Sequence, residues 1–202
     1  MRDDDLTFEA WADARRAHFE TYAEGVFKGV TARVTDPALL KLWEAMRYAV
    51  LGGGKRVRAL LVYAAGHLTQ ASSSALDAAA LAVESVHAYS LVHDDLPAMD
   101  NDEYRRGRKT TWSVYGDGMG VLAGDGLLNY AFETAFRAFP ACTSGEPVDP
   151  NYPRVAAALN ILARKAGIYG MIGGQNADIE AEEQAEPLTT EQILFIHANK
   201  TA

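Results

Sequence analysis

The chain has a single cysteine, Cys142, in 202 residues. That excludes an intrachain disulfide framework and suits a reducing compartment. No uninterrupted apolar run reaches the ~20 residues needed to cross a bilayer, so no membrane span is expected. Positive charge is scarce: 19 Lys and Arg against 27 Asp and Glu leave a formal net charge of −8. With neither a basic tail nor a basic surplus, nucleic acid is not an expected partner. The start, Met1-Arg2-Asp3-Asp4-Asp5-Leu6, lacks the basic opening and apolar core of a secretory signal. A cytoplasmic protein is expected. Period-2 alternation, internal repeats and low-complexity tracts are missing as well.

What is present is alanine- and leucine-rich sequence with helical spacing, which gives an all-α fold class. The first helix is expected from Thr7 through Phe19, Tyr22 and Phe27. A second covers Pro37 to Val50, with Asp36 as N-cap and Pro37 at the first helical position. Gly52-Gly53-Gly54 breaks that helix, and the next runs from Arg56 to His67. Another spans Leu76 to Leu96 and ends at Pro97, since the residue before proline avoids the α region. Val121–Phe139 and Arg154 to about Ala181 read as helices on either side of a proline-rich connection, Pro140 to Pro153. Thr190 opens a last helix.

Three motifs carry chemistry. In His93-Asp94-Asp95-Leu96-Pro97-Ala98-Met99-Asp100, carboxylates cluster at the end of a helix that otherwise reads as buried. Acid at a helix C-terminus opposes the macrodipole and calls for a compensating partner. Hard oxygen donors suit Mg²⁺ or Mn²⁺ rather than zinc. The alternative is an acidic helix end on the surface, but Val83, His87, Ser90 and Asp94 share one helical face and point to a lined cavity. A block of opposite charge, Arg105-Arg106-Gly107-Arg108-Lys109, follows. Metal-binding acid beside anion-binding base is the composition of a site for a metal-bound phosphate.

In Gly52-Gly53-Gly54-Lys55-Arg56-Val57-Arg58, glycines allow close backbone approach, and a helix N-terminus that favours anions follows. Lys55 and Arg58 are three apart and can face one ligand. This is not a Walker loop, because the Gly-Lys-Ser/Thr ending and a preceding strand are missing. In Gly173-Gly174-Gln175-Asn176-Ala177-Asp178, two glycines inside a helical pattern allow either close helix packing or a ligand. Gln175 and Asp178 share a face. In His197-Ala198-Asn199-Lys200-Thr201, a helix-end lysine alone is ordinary.

In this order, these motifs resemble the trans-isoprenyl diphosphate synthase (polyprenyl synthetase) family, and bacterial farnesyl diphosphate synthase in particular. The resemblance implies one polyprenyl synthetase domain over residues 1–202, a helical bundle around a central cavity without its C-terminal helices. It implies that Asp94 and Asp100 hold Mg²⁺, that Asp95 supports them, and that Arg105 and Lys200 clamp an allylic diphosphate (dimethylallyl or geranyl). Gly54, Lys55, Arg58, His87 and Arg106 would bind isopentenyl diphosphate, with Gln175 and Thr201 also among the substrate-binding residues. Asp94, Asp95, Asp100, Arg105 and Lys200 are the catalytic set. Loss of pyrophosphate leaves an allylic cation that the isopentenyl double bond attacks, lengthening the chain by one isoprene unit.

Tyr89 and Ser90, just before the Asp cluster, are the implied chain-length residues. An aromatic at Tyr89 resembles the farnesyl (C15) pattern; a geranylgeranyl product is the alternative. A homodimer is implied. The family's second Asp-rich motif falls beyond Lys200-Thr201 and is not among these residues. The chain is therefore expected to be C-terminally truncated and impaired alone, or to act as a non-catalytic, regulatory prenyl-diphosphate-binding subunit. A His-Asp phosphohydrolase built on His67, His87, His93 and Asp94 is a remote alternative that leaves the arginines and glycines without a use. An EF-hand fails on spacing.

Overall fold

The computed structural model describes residues 7–69, 71–136 and 152–201. The fold is all-α, as the spacing predicts. It divides into two compact units, Met1–Pro140 and Ala141–Ala202, each treated separately below.

In the first unit α1 (Phe8–Thr31) starts where the Thr7 hydroxyl accepts from the Ala10 amide, and its buried Phe19, Ala23 and Phe27 repeat every four residues. Helix α2 (Pro37–Val50) opens as expected: the Asp36 carboxylate accepts from the Ala38 and Leu39 amides, with Pro37 at the first position. Helices α3 (Val57–Thr69) and α4 (Ser73–Asp94) follow. The short α5 (Thr111–Tyr115) then leads into α6 (Asp117–Phe136).

Helix α4 is the hub. It is buried on most sides, with Leu81, Ala82, Ser85, Val86 and Val92 among its buried residues. Two stretches, Ser73–Asp94 and Tyr152–Glu182, are long and apolar enough to cross a membrane, although no single run is uninterrupted. The first is 61% buried inside the protein, which makes it a core helix.

Helix α6 runs antiparallel to α4 at close quarters. A Cβ at Gly124 would collide with the His93 ring, and one at Gly120 would come within 2.8 Å of Leu96. Across the other side, Phe27, Trp43 and Tyr130 form an aromatic cluster with centroids 4.7 and 5.0 Å apart along the chain of contacts. The Trp43 indole donates to the Phe27 carbonyl at 2.9 Å.

Two departures from expectation concern the first unit. A two-stranded antiparallel hairpin, β1 (Tyr104–Arg105) with β2 (Arg108–Lys109), occupies the basic block. Strands this short have no period to read. Helix α4 also stops at Asp94, two residues before the expected end. The loop's own amides then close the helix: Asp95 N and Leu96 N donate to Leu91 O and His93 O, Asp100 N to Asp94 O, and Asp102 N to Asp95 O.

The second unit holds α7 (Tyr152–Ala166), α8 (Met171–Glu182) and α9 (Thr190–Ile196), which continues as one π-helical turn, His197–Thr201. The single helix expected from Arg154 to Ala181 is broken at 167–170. Gly170 adopts φ −154°, ψ −124°, and a Cβ there would overlap the Lys165 carbonyl. Thr189 and Gln192 form a capping box at α9. Ile168, Tyr169, Leu194 and Phe195 in this unit are exposed. Cys142, the end of the Val121–Phe139 helix and the connection from Pro140 to residue 151 lie outside the described residues, as does Ala202.

Candidate functional site

The carboxylate turn is built by backbone geometry. Asp100 N donates to Asp94 O at 2.9 Å, and Asn101, in the left-handed region at φ 53°, sends its amide back to Leu96 O at 3.1 Å. The turn brings Asp94, half-buried, and Asp100, exposed, to one end of α4. Asp95 takes a different position. It is 4% exposed, and both Nε and Nη2 of Arg105 lie 2.6 Å from its Oδ1. Burial pushes the Asp95 carboxyl above its usual range, and the Arg105 guanidinium pulls it back. Arg105 is thus engaged with Asp95, so it buttresses the turn from within.

Among the described residues, no group of three or more His, Cys, Asp and Glu side chains is arranged to hold a metal by itself. Mg²⁺ commonly keeps several waters and binds through one or two carboxylates plus substrate phosphates. Two solvent-accessible carboxylates on one turn, Asp94 and Asp100, fit that use.

One to two turns back along α4 is a cavity of about 540 Å³, lined by Gly54, Lys55, Arg58, His87 and Arg106 among others. These are the residues that the resemblance assigns to isopentenyl diphosphate, and of them the spacing alone pairs Lys55 with Arg58. Gly53 and Gly54 adopt φ 80° and 127°, and a Cβ at Gly54 would collide with the Arg106 guanidinium. Only glycine lets that arginine approach the loop. Arg106 Nη1 in turn donates to Gly53 O at 3.3 Å.

His87 stands among cations. Burial first, then Arg58, Arg106, Arg56 and Arg105, push its pKa from 6.5 down to about 4. At neutral pH it is an uncharged donor among positive groups. A smaller cavity of about 70 Å³ adjoins, with Gly53 and Arg106 in both walls and Asp95 and Arg108 in its own.

The half-exposed face of α4 carries Val83, His87, Ser90 and Asp94, as the spacing predicts. The Ser90 hydroxyl donates to His87 O at 2.9 Å. Tyr89 is 5% exposed and meets the His93 ring edge-on at 5.8 Å. His93 turns toward α6, its Nε2 3.0 Å from Val121 O and 3.9 Å from Asp125.

In the second unit Lys200 Nζ contacts Asp178 Oδ2 at 2.5 Å, so two of the expected motifs meet. Gly174 is the notch that permits it: a Cβ there would strike the Asn199–Lys200 backbone. The close-packing reading of the glycine pair therefore accounts for Gly174. Gln175 is half-buried on α8, and Thr201 is exposed.

Residues without an assigned role in the resemblance also shape the site. Tyr48 and Arg108 dock the hairpin on α2, and Glu84 lines the larger cavity beside His87. Arg108 sat visibly in a basic block, and Glu84 lies one turn before His87. No sequence signal pointed to Tyr48.

The family model described as polyprenyl synthetase matches residues 40–202. The chain belongs to the polyprenyl synthetase family. It is 45% identical over 183 residues to the heterodimeric geranylgeranyl pyrophosphate synthase large subunit 1, chloroplastic, of Arabidopsis thaliana, covering 90% of this chain and 48% of that one. It is 41% identical over 180 residues to the farnesyl diphosphate synthase of Haemophilus influenzae, covering 89% and 56%.

Among solved structures, the geranyltransferase of Legionella pneumophila superposes with a TM-score of 0.81 at 34% identity, over 96% of this chain and 63% of that chain. The chain thus spans about half the length of these curated polyprenyl synthetase relatives. The His-Asp phosphohydrolase alternative has no place in this family.

Proposed function

We propose that this chain forms the first half of a Mg²⁺-dependent trans-prenyltransferase site. In it an allylic diphosphate (dimethylallyl or geranyl) condenses with isopentenyl diphosphate to a short-chain trans-prenyl diphosphate. One observation carries the reading. Helix α4 ends at the half-buried Asp94, the turn that follows adds the exposed Asp100, and His87 faces a cationic cavity two turns back along the same helix. Acid for a metal–diphosphate and base for a free diphosphate lie within two turns of one helix.

In this reading Asp94 and Asp100 would hold Mg²⁺, which would supply Lewis-acid stabilisation to the departing allylic diphosphate. Asp95 and Arg105 hold the turn in place. Gly54, Lys55, Arg58, His87 and Arg106 bind the isopentenyl diphosphate. Lys200 belongs with the allylic diphosphate, and Gln175 and Thr201 with substrate binding. Tyr89 and Ser90 set the product length, and the buried Tyr89 supports C15. The relatives' names include both farnesyl and geranylgeranyl synthases, so geranylgeranyl diphosphate is the competing product.

A second polyprenyl synthetase chain is the partner class, as a homodimer or a heterodimer. The Arabidopsis relative's name describes a heterodimer subunit. In the heterodimer this chain binds prenyl diphosphate and its partner completes the catalysis.

The test incubates the purified chain, alone and within the full-length reading frame, with isopentenyl and dimethylallyl diphosphates and Mg²⁺, and identifies products by mass. A C15 diphosphate supports the synthase. Mg²⁺-dependent diphosphate binding without product supports the subunit role, and no binding of either kind sinks both.

A further inference from the structure

Arg56 sits between Lys55 and Arg58, and composition groups all three as one basic cluster. The side chain does otherwise. Arg56 is 7% exposed, and its donors point inward: Nε to Glu20 Oε1 at 2.6 Å, Nη2 to Val50 O at 2.8 Å, and Nη1 to Glu84 Oε2 at 3.4 Å. Its guanidinium also lies 5.3 Å from the Phe19 ring centroid. The backbone at Arg56 is in the left-handed region, φ 52°, which a non-glycine residue adopts only when its surroundings impose it.

Glu84 is the other half of the arrangement. It is 4% exposed on α4, and its Oε1 accepts the Ala59 amide at 3.1 Å, an N-terminal amide of α3 with no partner in its own helix. One carboxylate thus neutralises a buried arginine and caps a helix belonging to a different segment.

We propose that Glu84 and Arg56 are positioning residues. They act as a clamp that sets the Gly53–Arg58 loop on α4, so that Lys55 and Arg58 face His87 across the cavity without either clamp residue binding the ligand. Three anchors define the loop's path: Val50 at the end of α2, Glu20 on α1 and Glu84 on α4. Arg56 reaches all three because a guanidinium has a planar fork of donors, which an ammonium lacks. The inference rests on the diphosphate-binding reading only for what the clamp serves; the clamp itself stands on these contacts.

The sign of one substitution separates positioning from a mere lining role. Glu84 borders an anion cavity, so removing its charge on electrostatic grounds alone tightens anion binding. If Glu84 positions the loop, Glu84→Gln weakens binding, because the amide's N–H₂ now faces a guanidinium that has only donors.

The experiment uses the purified chain, inorganic pyrophosphate as probe by calorimetry, and hydrogen exchange of the loop in the free protein. Leu81→Val, a buried change one turn away on α4, is the control for lost stability. We expect Glu84→Gln and Arg56→Lys to weaken pyrophosphate binding about tenfold, a change of about 1.4 kcal/mol. We also expect both to speed amide exchange across residues 53–59, while Leu81→Val does neither. Unchanged or tighter binding by Glu84→Gln, or loop exchange equal to that of Leu81→Val, overturns the proposal. A wild-type chain that binds no pyrophosphate, yet whose loop exchange still depends on Glu84, sinks the diphosphate reading and leaves the clamp standing.

Discussion

The Arg108 guanidinium lies 3.4 Å over the Tyr48 ring, and two further ties hold the hairpin to Tyr48. The first is within the pair, Arg108 Nη1 donating to Tyr48 O at 3.3 Å; the second runs to the next residue of the hairpin, the Tyr48 hydroxyl donating to Lys109 O at 2.8 Å. The basic hairpin is thereby fastened to the end of α2, next to the glycine loop that Arg106 contacts. Two strands of two residues each have no independent stability, so this docking is what gives the hairpin a fixed place.

Arg108→Ala should therefore act beyond its own charge. An exposed cation–π contact contributes about 0.5–1 kcal/mol, so the cost to global stability is small. Pyrophosphate affinity should fall several-fold, because Arg106 loses its support. Arg108→Lys should recover only part of the loss, since an ammonium cannot stack and donate with the same geometry. Calorimetric titration of the three proteins checks this, and equal affinities refute it.

Asp94→Asn and Asp100→Asn should abolish the Mg²⁺ dependence of diphosphate binding while leaving the fold intact. Asp100 is exposed, and surface substitutions of this kind change stability by roughly 0.5 kcal/mol or less. Chelation of Mg²⁺ in the wild type should give the same loss. The readout is thermal stabilisation by pyrophosphate with and without the metal.

His87 makes a signed prediction about pH. Its folded-state pKa, about 4, lies below the unfolded value of 6.5, so the unfolded chain binds the extra proton between those values. The stability tied to keeping His87 neutral is complete above pH 6.5 and is lost as pH falls toward 4. His87→Asn cannot titrate and should show a shallower loss across that window. Urea unfolding of both proteins at pH 7 and pH 5 measures the difference, which isolates His87 from carboxylates titrating nearby. Identical slopes would mean that His87 binds its proton equally in the folded and unfolded chain, so that burial does not shift it.

Much of this was legible in the residues, and the misses have physical causes. Asp36 and Pro37 mark the start of α2 because capping and the first-turn proline are local rules. The polar face Val83, His87, Ser90, Asp94 follows from helical period alone. The break between α7 and α8 is hidden because Ile168, Tyr169 and Ile172 continue the apolar pattern across it, while α7 ends at Ala166 and α8 starts from the non-helical Gly170. Arg56 misled for a different reason. Composition counts its charge, but its burial and left-handed backbone are set by Glu20 and Glu84, 36 and 28 residues away. Arg105, which the resemblance assigns to the allylic diphosphate, meets the buried Asp95, a contact across ten residues that no local rule predicts.

Tyr89 gives the most direct test of product length. The ring is 5% exposed, edge-on to His93, and burial followed by the nearby Asp94 charge raises its hydroxyl pKa. On the proposed reading, its bulk one turn before the carboxylate cluster limits the growing prenyl chain. On that reading Tyr89→Ala opens the space and shifts product from C15 toward longer diphosphates in the assay that tests the proposed function. Removing a buried aromatic costs about 3–5 kcal/mol, so Tyr89→Leu, which keeps most of the packing, serves as a second variant. Tyr89→Phe retains the bulk and should leave the product unchanged. If all three variants give the wild-type product distribution by mass, Tyr89 is a packing residue of the α4–α6 interface and the length stop lies elsewhere.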